Sequence, residues 1–431
     1  MLRILSVLFV TLSILKPVAG VHAADCAPTA ANGRMELAPT DWPWWRGPNR
    51  DGIAAREQEP PLRWSETENV IWKAPVSGRG HGSATVVGNQ VFLATADEQK
   101  EVQSVLCFDR QTGKQLWKTD VHTGGFSKKG ENQKGSQASI TVACDGERLF
   151  VNFQNSGAIH ATALDRDGKQ LWQKKISDFV SHQGFGASPA IYQSLVIFSA
   201  DNKGGGAIAA LDRVTGDTVW RHERPKVPNY TSPVILKAAG KEQLVFTGCD
   251  LVSSFEPLTG KKLWEVSGAT TECVTSTVTD GSVIITSGGY PKNHLSAVRA
   301  DGSGKVAWEN STRVYVPSLL IRGGVLHAVT DDGVAMCWQT DSGKPLWKSR
   351  LSGTFSASPV LVGDTVFAVN EGGKAFVYKP GRESMELIAE NQLGTEVFAT
   401  PTICGGRIYL RVASQQEGQR REFLYCLGTG K

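Results

Sequence analysis

Charge is scarce in this sequence. Asp, Glu, Lys and Arg together make 20% of its residues, below the roughly 25% of an ordinary globular protein. No basic run stands out: Lys128-Lys129 and Arg420-Arg421 read as solvated loops. Nothing in the electrostatics therefore invites nucleic acid or an anionic membrane surface. The formal net charge of +4 falls to +2 without a leader carrying Arg3 and Lys16. No convincing helical period is present, which argues against bundles and coiled coils. The eight cysteines (Cys26, Cys107, Cys144, Cys249, Cys273, Cys337, Cys404 and Cys426) form no CxxC pair, no CxxCH haem site and no adjacent pair. Past the first residues, no stretch is long and apolar enough to span a bilayer.

What is plentiful is glycine and tryptophan, 46 and 12 among 431 residues. With 40% hydrophobic residues, this composition excludes a disordered chain and points to many short strands joined by tight turns. The start reads as a secretion signal. Arg3 gives the positive region, Ile4 to Leu15 a short apolar run, and Val21-His22-Ala23 the small residues before a cut. Cleavage after Ala23 is expected, and Lys16-Pro17 argues against a retained anchor. Asp25 occupies the place where a lipoprotein signal needs a small residue, so Cys26 is not read as a lipid anchor. The expected mature chain is exported, without a transmembrane segment, and monomeric.

A phrase then recurs along the chain: an acid or its stand-in, a Gly-containing turn, and Trp. It is complete at Asp109–Trp117 and Asp212–Trp220 and worn elsewhere. Trp72, Trp117, Trp172, Trp220, Trp264, Trp308 and Trp347 follow one another at intervals of 45, 55, 48, 44, 44 and 39 residues. A second phrase, a hydroxyl before a small residue and a β-branched run, sits in phase with it. It falls at Ser83, Ser139, Ser188, Ser232, Ser276, Ser318, Ser358 and Thr400. Each unit has room for four short strands, the spacing of a propeller blade. The expected fold is all-β: one eight-bladed β-propeller with four-stranded antiparallel blades over 69–431. A leader occupies 1–23 and a Trp-rich extension 24–68.

The ends explain each other. The segment around Tyr425-Cys426-Leu427 lacks its Trp strand, and Asn69-Val70-Ile71-Trp72-Lys73 is a Trp strand lacking its blade. Joining them closes the ring and removes two sheet edges. The periodic tryptophans are expected to pack between neighbouring blades. The eight hydroxyls, repeated in every unit, are expected to hydrogen-bond neighbouring strands rather than act as nucleophiles. Cys107, Cys337 and Cys426 share a position held elsewhere by Ala163, Ala210 and Ala297, and so read as small buried residues.

These phrases resemble the eight-bladed pyrroloquinoline-quinone-like repeat family, whose tryptophan-docking motif is Asp-x-x-Thr-Gly-x-x-x-Trp. The preceding Trp42-Pro43-Trp44-Trp45-Arg46-Gly47-Pro48 and Leu62-Arg63-Trp64 look like the opening segment of exported propellers common in planctomycete-type bacteria. The family includes quinone-dependent alcohol dehydrogenases and a lipoprotein subunit of the outer-membrane barrel assembly machinery.

Function in a propeller is expected in the loops that enter the inner strands, at the mouth of the central channel. Here those loops vary while the blades repeat. They carry Arg79 and His81; Lys134 and Gln137; His182, Gln183 and Phe185; Asn229 and Tyr230; Glu272 and Cys273; Arg313 and Tyr315; Phe355; and Glu396 and Phe398. The two histidines read as hydrogen-bonded wall residues rather than acid–base groups.

If the resemblance extended to the quinone, its three carboxylates would need cations such as Arg79, Lys134 or Arg313. The accompanying calcium would need oxygen ligands such as Asn229, Glu272 or Glu396. Against this, the dehydrogenases' adjacent cysteines are missing, no Trp lies in these loops, and no haem domain follows. The expected function is a non-catalytic exported binding or scaffold propeller without a cofactor, its partner a protein, glycan or small ligand. The rival is a quinone-dependent dehydrogenase.

Overall fold

The computed structural model describes residues 37–127, 132 and 134–430. The expected leader, its cleavage site and Cys26 lie outside them. All thirty-two strands fall into eight four-stranded antiparallel sheets, with no helix among the described residues. The blades, numbered from the first complete one, occupy 85–123, 143–178, 190–223, 234–267, 278–310, 320–350 and 360–392. The eighth combines 402–427 with Val70–Val76.

Sequence pattern follows position in the blade. Second and third strands are covered on both faces by neighbouring blades and read as continuous apolar runs; Leu195–Ser199 is buried throughout. Outer strands such as Gln115–Thr123 meet water and are mostly exposed. In these strands the residue before the docking Trp forms a β-bulge. Cys107 pairs with Trp117 and Phe108 with Gln115, leaving Leu116 unpaired; Leu171, Val219 and Leu263 are skipped in the same way. The bulge twists each outer edge and spoils it as a template for another strand. It also accounts for these otherwise odd exposed aliphatics.

The tryptophans dock as expected, with a detail the sequence hid. Trp220 donates its indole N–H to the Pro257 carbonyl of the next blade at 3.0 Å. Trp72 and Trp117 do the same to the carbonyls of Arg110 and Arg166 at 3.0 and 2.9 Å. Trp264 departs from the pattern and donates to the Gln243 side chain. The ring face lies on the turn glycine of the next blade. A Cβ at Gly216 would stand 2.7 Å from Trp172, so that glycine is needed for contact as well as for its φ of 73°. Trp72, Trp172, Trp220 and Trp264 are buried, and Trp117, Trp308 and Trp347 half-buried. Each docking Trp lies early in its outer strand rather than ending it.

The hydroxyls form a chain of inter-blade bonds. The backbone N–H of Ser188 donates to Ser232 Oγ at 2.9 Å, Ser276 to Ser318 at 3.0 Å, Ser318 to Ser358 at 2.9 Å, and Ser358 to Thr400 Oγ1 at 2.9 Å. In blade 2 the position expected for Ser139 belongs to Thr141. Thr141 accepts from the Ser83 N–H at 3.1 Å and donates its own N–H to Ser188 at 3.0 Å. Two residues of extra entry loop shift the register, and Ser139 bonds Ser136 instead.

Ring closure is as the termini imply. Val70–Val76 pairs antiparallel with Gln419–Leu427, with Trp72 opposite Cys426 and Lys73 opposite Tyr425. A second closure comes from the Trp-rich extension, which crosses the face opposite the mouth and touches every blade in turn. Trp42 bridges Val86 of blade 1, and the Pro43 carbonyl accepts from Cys144 of blade 2 at 2.8 Å. Arg50 lies 4.4 Å over Trp44 and donates to Ile191 of blade 3. Trp44 and Trp45 line a small pocket together with Pro233 and Val234 at the start of blade 4. The Trp45 indole donates to Ser276 of blade 5 at 2.8 Å. Buried Arg46 donates to the Leu319 carbonyl of blade 6. Ile53 bridges Leu361 of blade 7, and Gln58 accepts from Gly406 of blade 8 at 3.1 Å.

Candidate binding site at the channel mouth

The Trp-rich extension determines the shape of the site. Trp45 stands in the axis and floors a cavity of about 710 Å³ that opens on the opposite face. The entry loops deliver ten of the expected residues to its wall: His81, Lys134, His182, Gln183, Tyr230, Glu272, Arg313, Tyr315, Phe355 and Phe398. Phe185 joins them.

Five expected residues are engaged elsewhere, Cys273 among them, its buried thiol donating to the Thr270 carbonyl at 3.5 Å. Arg79 bridges Ala96 through its backbone. Gln137 accepts from Gln103 at 2.8 Å. Asn229 is buried among Asp201, Thr231, Thr247 and Cys273. Glu396 pairs with Arg420, whose Nε lies 3.0 Å from its carboxylate.

Among the wall residues that escaped the sequence reading, Tyr290, Asp331 and Glu371 did so because they come from the loops between second and third strands. Their signal was present but faint, an acid before glycine after an apolar strand, as in Asp331-Asp332-Gly333 and Glu371-Gly372-Gly373. Trp45 corrects a second expectation. An aromatic floor does exist, supplied by the N-terminal extension rather than by a blade loop.

Charges at the mouth meet one another. Lys134 reaches from blade 2 to Glu371 of blade 7 at 2.7 Å, and Glu371 also accepts from Ser356 at 2.7 Å. His182 Nε2 lies 3.3 Å from Glu272, whose other oxygen is 3.5 Å from the Tyr315 hydroxyl. Asp331 accepts the backbone N–H groups of Tyr315 and Val316 at 2.7 and 3.2 Å; burial nonetheless raises its pKa above the usual carboxylate value. Burial, then the Glu272 charge, pushes the Tyr315 phenol well above its ordinary range. Arg313 lies over the Tyr315 ring at 5.4 Å. His81 stacks on Phe398, with ring centroids 4.3 Å apart. Burial first, then Arg79, Arg411 and Arg420, hold it well below the usual histidine range.

The seven described cysteines are free and buried. Burial raises Cys107, Cys144, Cys337 and Cys404 to about 12, so none is a ready thiolate. Cys107, Cys337 and Cys426 stand opposite Trp117, Trp347 and Trp72, the place Ala163 and Ala210 take opposite Trp172 and Trp220.

Fold and mouth together define an eight-bladed propeller with a cavity of about 710 Å³ where its entry loops meet. A sequence profile described as outer membrane protein assembly factor BamB matches residues 101–311 and 250–411. The chain therefore belongs to this pyrroloquinoline-quinone-like propeller family. It is 26% identical over 357 residues to the outer membrane protein assembly factor BamB of Burkholderia pseudomallei, spanning 78% of this chain and 84% of the relative. The crystal structure of BamB from Moraxella catarrhalis superposes with a TM-score of 0.58 at 14% identity, covering 84% of this chain and 98% of that one. A europium-containing methanol dehydrogenase superposes at 0.66 with 12% identity, covering 91% and 99%. At such identities the two structures share the fold and nothing more. Among the described residues no helix is long and apolar enough to cross a membrane.

Proposed function

We propose that this chain is an exported, non-catalytic binding propeller, a rigid scaffold in the manner of its assembly-factor relatives, which presents its mouth cavity to a partner. The observation that carries the reading is that the mouth's carboxylates and Lys134 already have partners inside the protein, Arg313 alone lying over a ring, that of Tyr315. Lys134 is held by Glu371 and Glu272 faces His182. The floor hydroxyls at Ser188, Ser232, Ser358 and Thr400 accept backbone N–H groups. Catalysis needs a nucleophile beside a placed base; binding needs shape and lining.

The quinone-dependent alternative has one feature in its favour, the Trp45 indole on the floor. The charges oppose it. A tricarboxylate would face Glu272, Asp331 and Glu371 against Arg313 and an already committed Lys134. Among the described residues no three His, Cys, Asp or Glu side chains gather to hold a metal ion.

An absorbance titration of the purified chain with pyrroloquinoline quinone and Ca²⁺, followed by an alcohol-dependent dye-reduction assay, tests the reading. Neither saturable binding nor turnover is expected; turnover would overturn it. Fractionation of expressing cells should place the chain outside the cytoplasm.

A further inference from the structure

We infer that the mouth cavity takes a neutral, hydroxyl-rich ligand, a short glycan, rather than a charged peptide or cofactor. This rests on the proposed binding function and names its ligand class. The volume, about 710 Å³, falls within the roughly 300–1,000 Å³ typical of small-molecule sites.

Charge sorts the candidates. Glu371 is matched by Lys134 and Ser356, Glu272 by His182 and Tyr315, and Asp331 by two backbone N–H groups. A ligand bringing its own charge would give up hydration and find these partners taken. A neutral ligand avoids that loss.

Hydrogen-bonding capacity points the same way. An ionised carboxylate has about four acceptor sites, and each of these three has two contacts. The walls therefore retain acceptors suited to O–H donors. The floor hydroxyls of Ser188, Ser232, Ser358 and Thr400 are used as acceptors, and each keeps a proton to give. A ligand that is donor and acceptor at every carbon matches such a lining.

Aromatic faces complete the match. Phe398 with its stacked His81, Tyr315 and the Trp45 indole offer apolar planes between the polar groups. A pyranose presents C–H groups on its faces and hydroxyls around its rim, so it can satisfy planes and acceptors together.

Calorimetric titration of the full chain tests this, using maltotriose, cellotriose and triacetylchitotriose as neutral probes. Trigalacturonate and deacetylated chitotriose serve as anionic and cationic probes of similar size. At least one neutral trisaccharide should bind, and more tightly than either charged probe. Phe398→Ala and Glu371→Gln should each weaken it about tenfold with an unchanged melting temperature, and Phe398→Tyr should retain it. No neutral binding, tighter charged binding, or indifference to both substitutions would overturn the inference. If the sugars fail while a photo-crosslinker at Tyr290 traps an exported protein, the glycan assignment falls and the binding function stands. If both fail, both fall.

Discussion

At the residue scale, the docking contact separates packing from chain geometry. Trp220 is buried against the next blade, so Trp220→Ala should cost about 3–5 kcal/mol in chemical denaturation. Trp42, at 2% exposure, should cost a similar amount despite standing outside the repeat, because the N-terminal extension is bound to the ring. Two glycines with the same φ isolate the contact. Gly216 has φ 73° under Trp172, whereas Gly240 has φ 74° with open space around it. Alanine at either position is strained; only at Gly216 does it also collide, which should add about 1–3 kcal/mol. Histidine supplies a pH handle. Burial lowers His327 from 6.5 to about 4, and burial then His160 lower His122 to about 4. Between those values the unfolded chain binds more protons than the folded one, so stability is full above about pH 6.5 and is lost as pH falls towards 4. Denaturation midpoints at several pH values should show that slope, and His327→Gln should flatten it.

At the scale of the element, repetition proved a good guide to what is structural and a poor guide to register. Of the eight positions in the hydroxyl phrase, Ser188, Ser232, Ser318, Ser358 and Thr400 accept an inter-blade N–H. Ser276 accepts the Trp45 indole instead, and the phrase missed Thr141, because the entry loop of blade 2 is long and Ser139 imitates the motif. The structure makes the two separable. Thr141→Val removes the acceptor for the buried Ser83 N–H and should cost about 1–3 kcal/mol. Ser139→Ala should stay within about 0.5 kcal/mol, as for an ordinary peripheral site. An equal loss in both would place the link at neither residue. The outer-strand bulges were not legible, since Leu116-Trp117 and Leu171-Trp172 read as plain apolar pairs. Only pairing with the third strand shows that the first member is skipped.

For the whole molecule, closure is the property that matters, and it is achieved twice. Deleting 69–73 removes the strand that seals blade 8 and leaves open edges. Loss of the cooperative melting transition, or aggregation, is expected. Deleting 37–64 instead leaves all eight blades complete but uncovers the ring face opposite the mouth. That variant should still melt as one unit, at a lower temperature, with its channel open at both ends.

The sequence by itself determined the number of blades, their antiparallel order, the composite last blade and the docking role of the tryptophans. The blades and the docking tryptophans are periodic, and each copy reinforces the others; a packing phrase repeated seven times is visible without coordinates, and the broken first and last copies reveal the closure. It also placed part of the mouth wall, from His81 to Phe398, because entry loops can be located from the strands they feed. It could not determine what happens between segments distant in the chain. Trp45 meeting Ser276, Lys134 meeting Glu371 and His182 facing Glu272 occur once each and have no period. They follow from ring curvature, which brings loops of non-adjacent blades across one opening. Only the tertiary structure decided that Trp45 reaches the mouth cavity, that the Trp-rich extension is part of the ring's fastening, and that the carboxylates at the mouth are partnered before any ligand arrives.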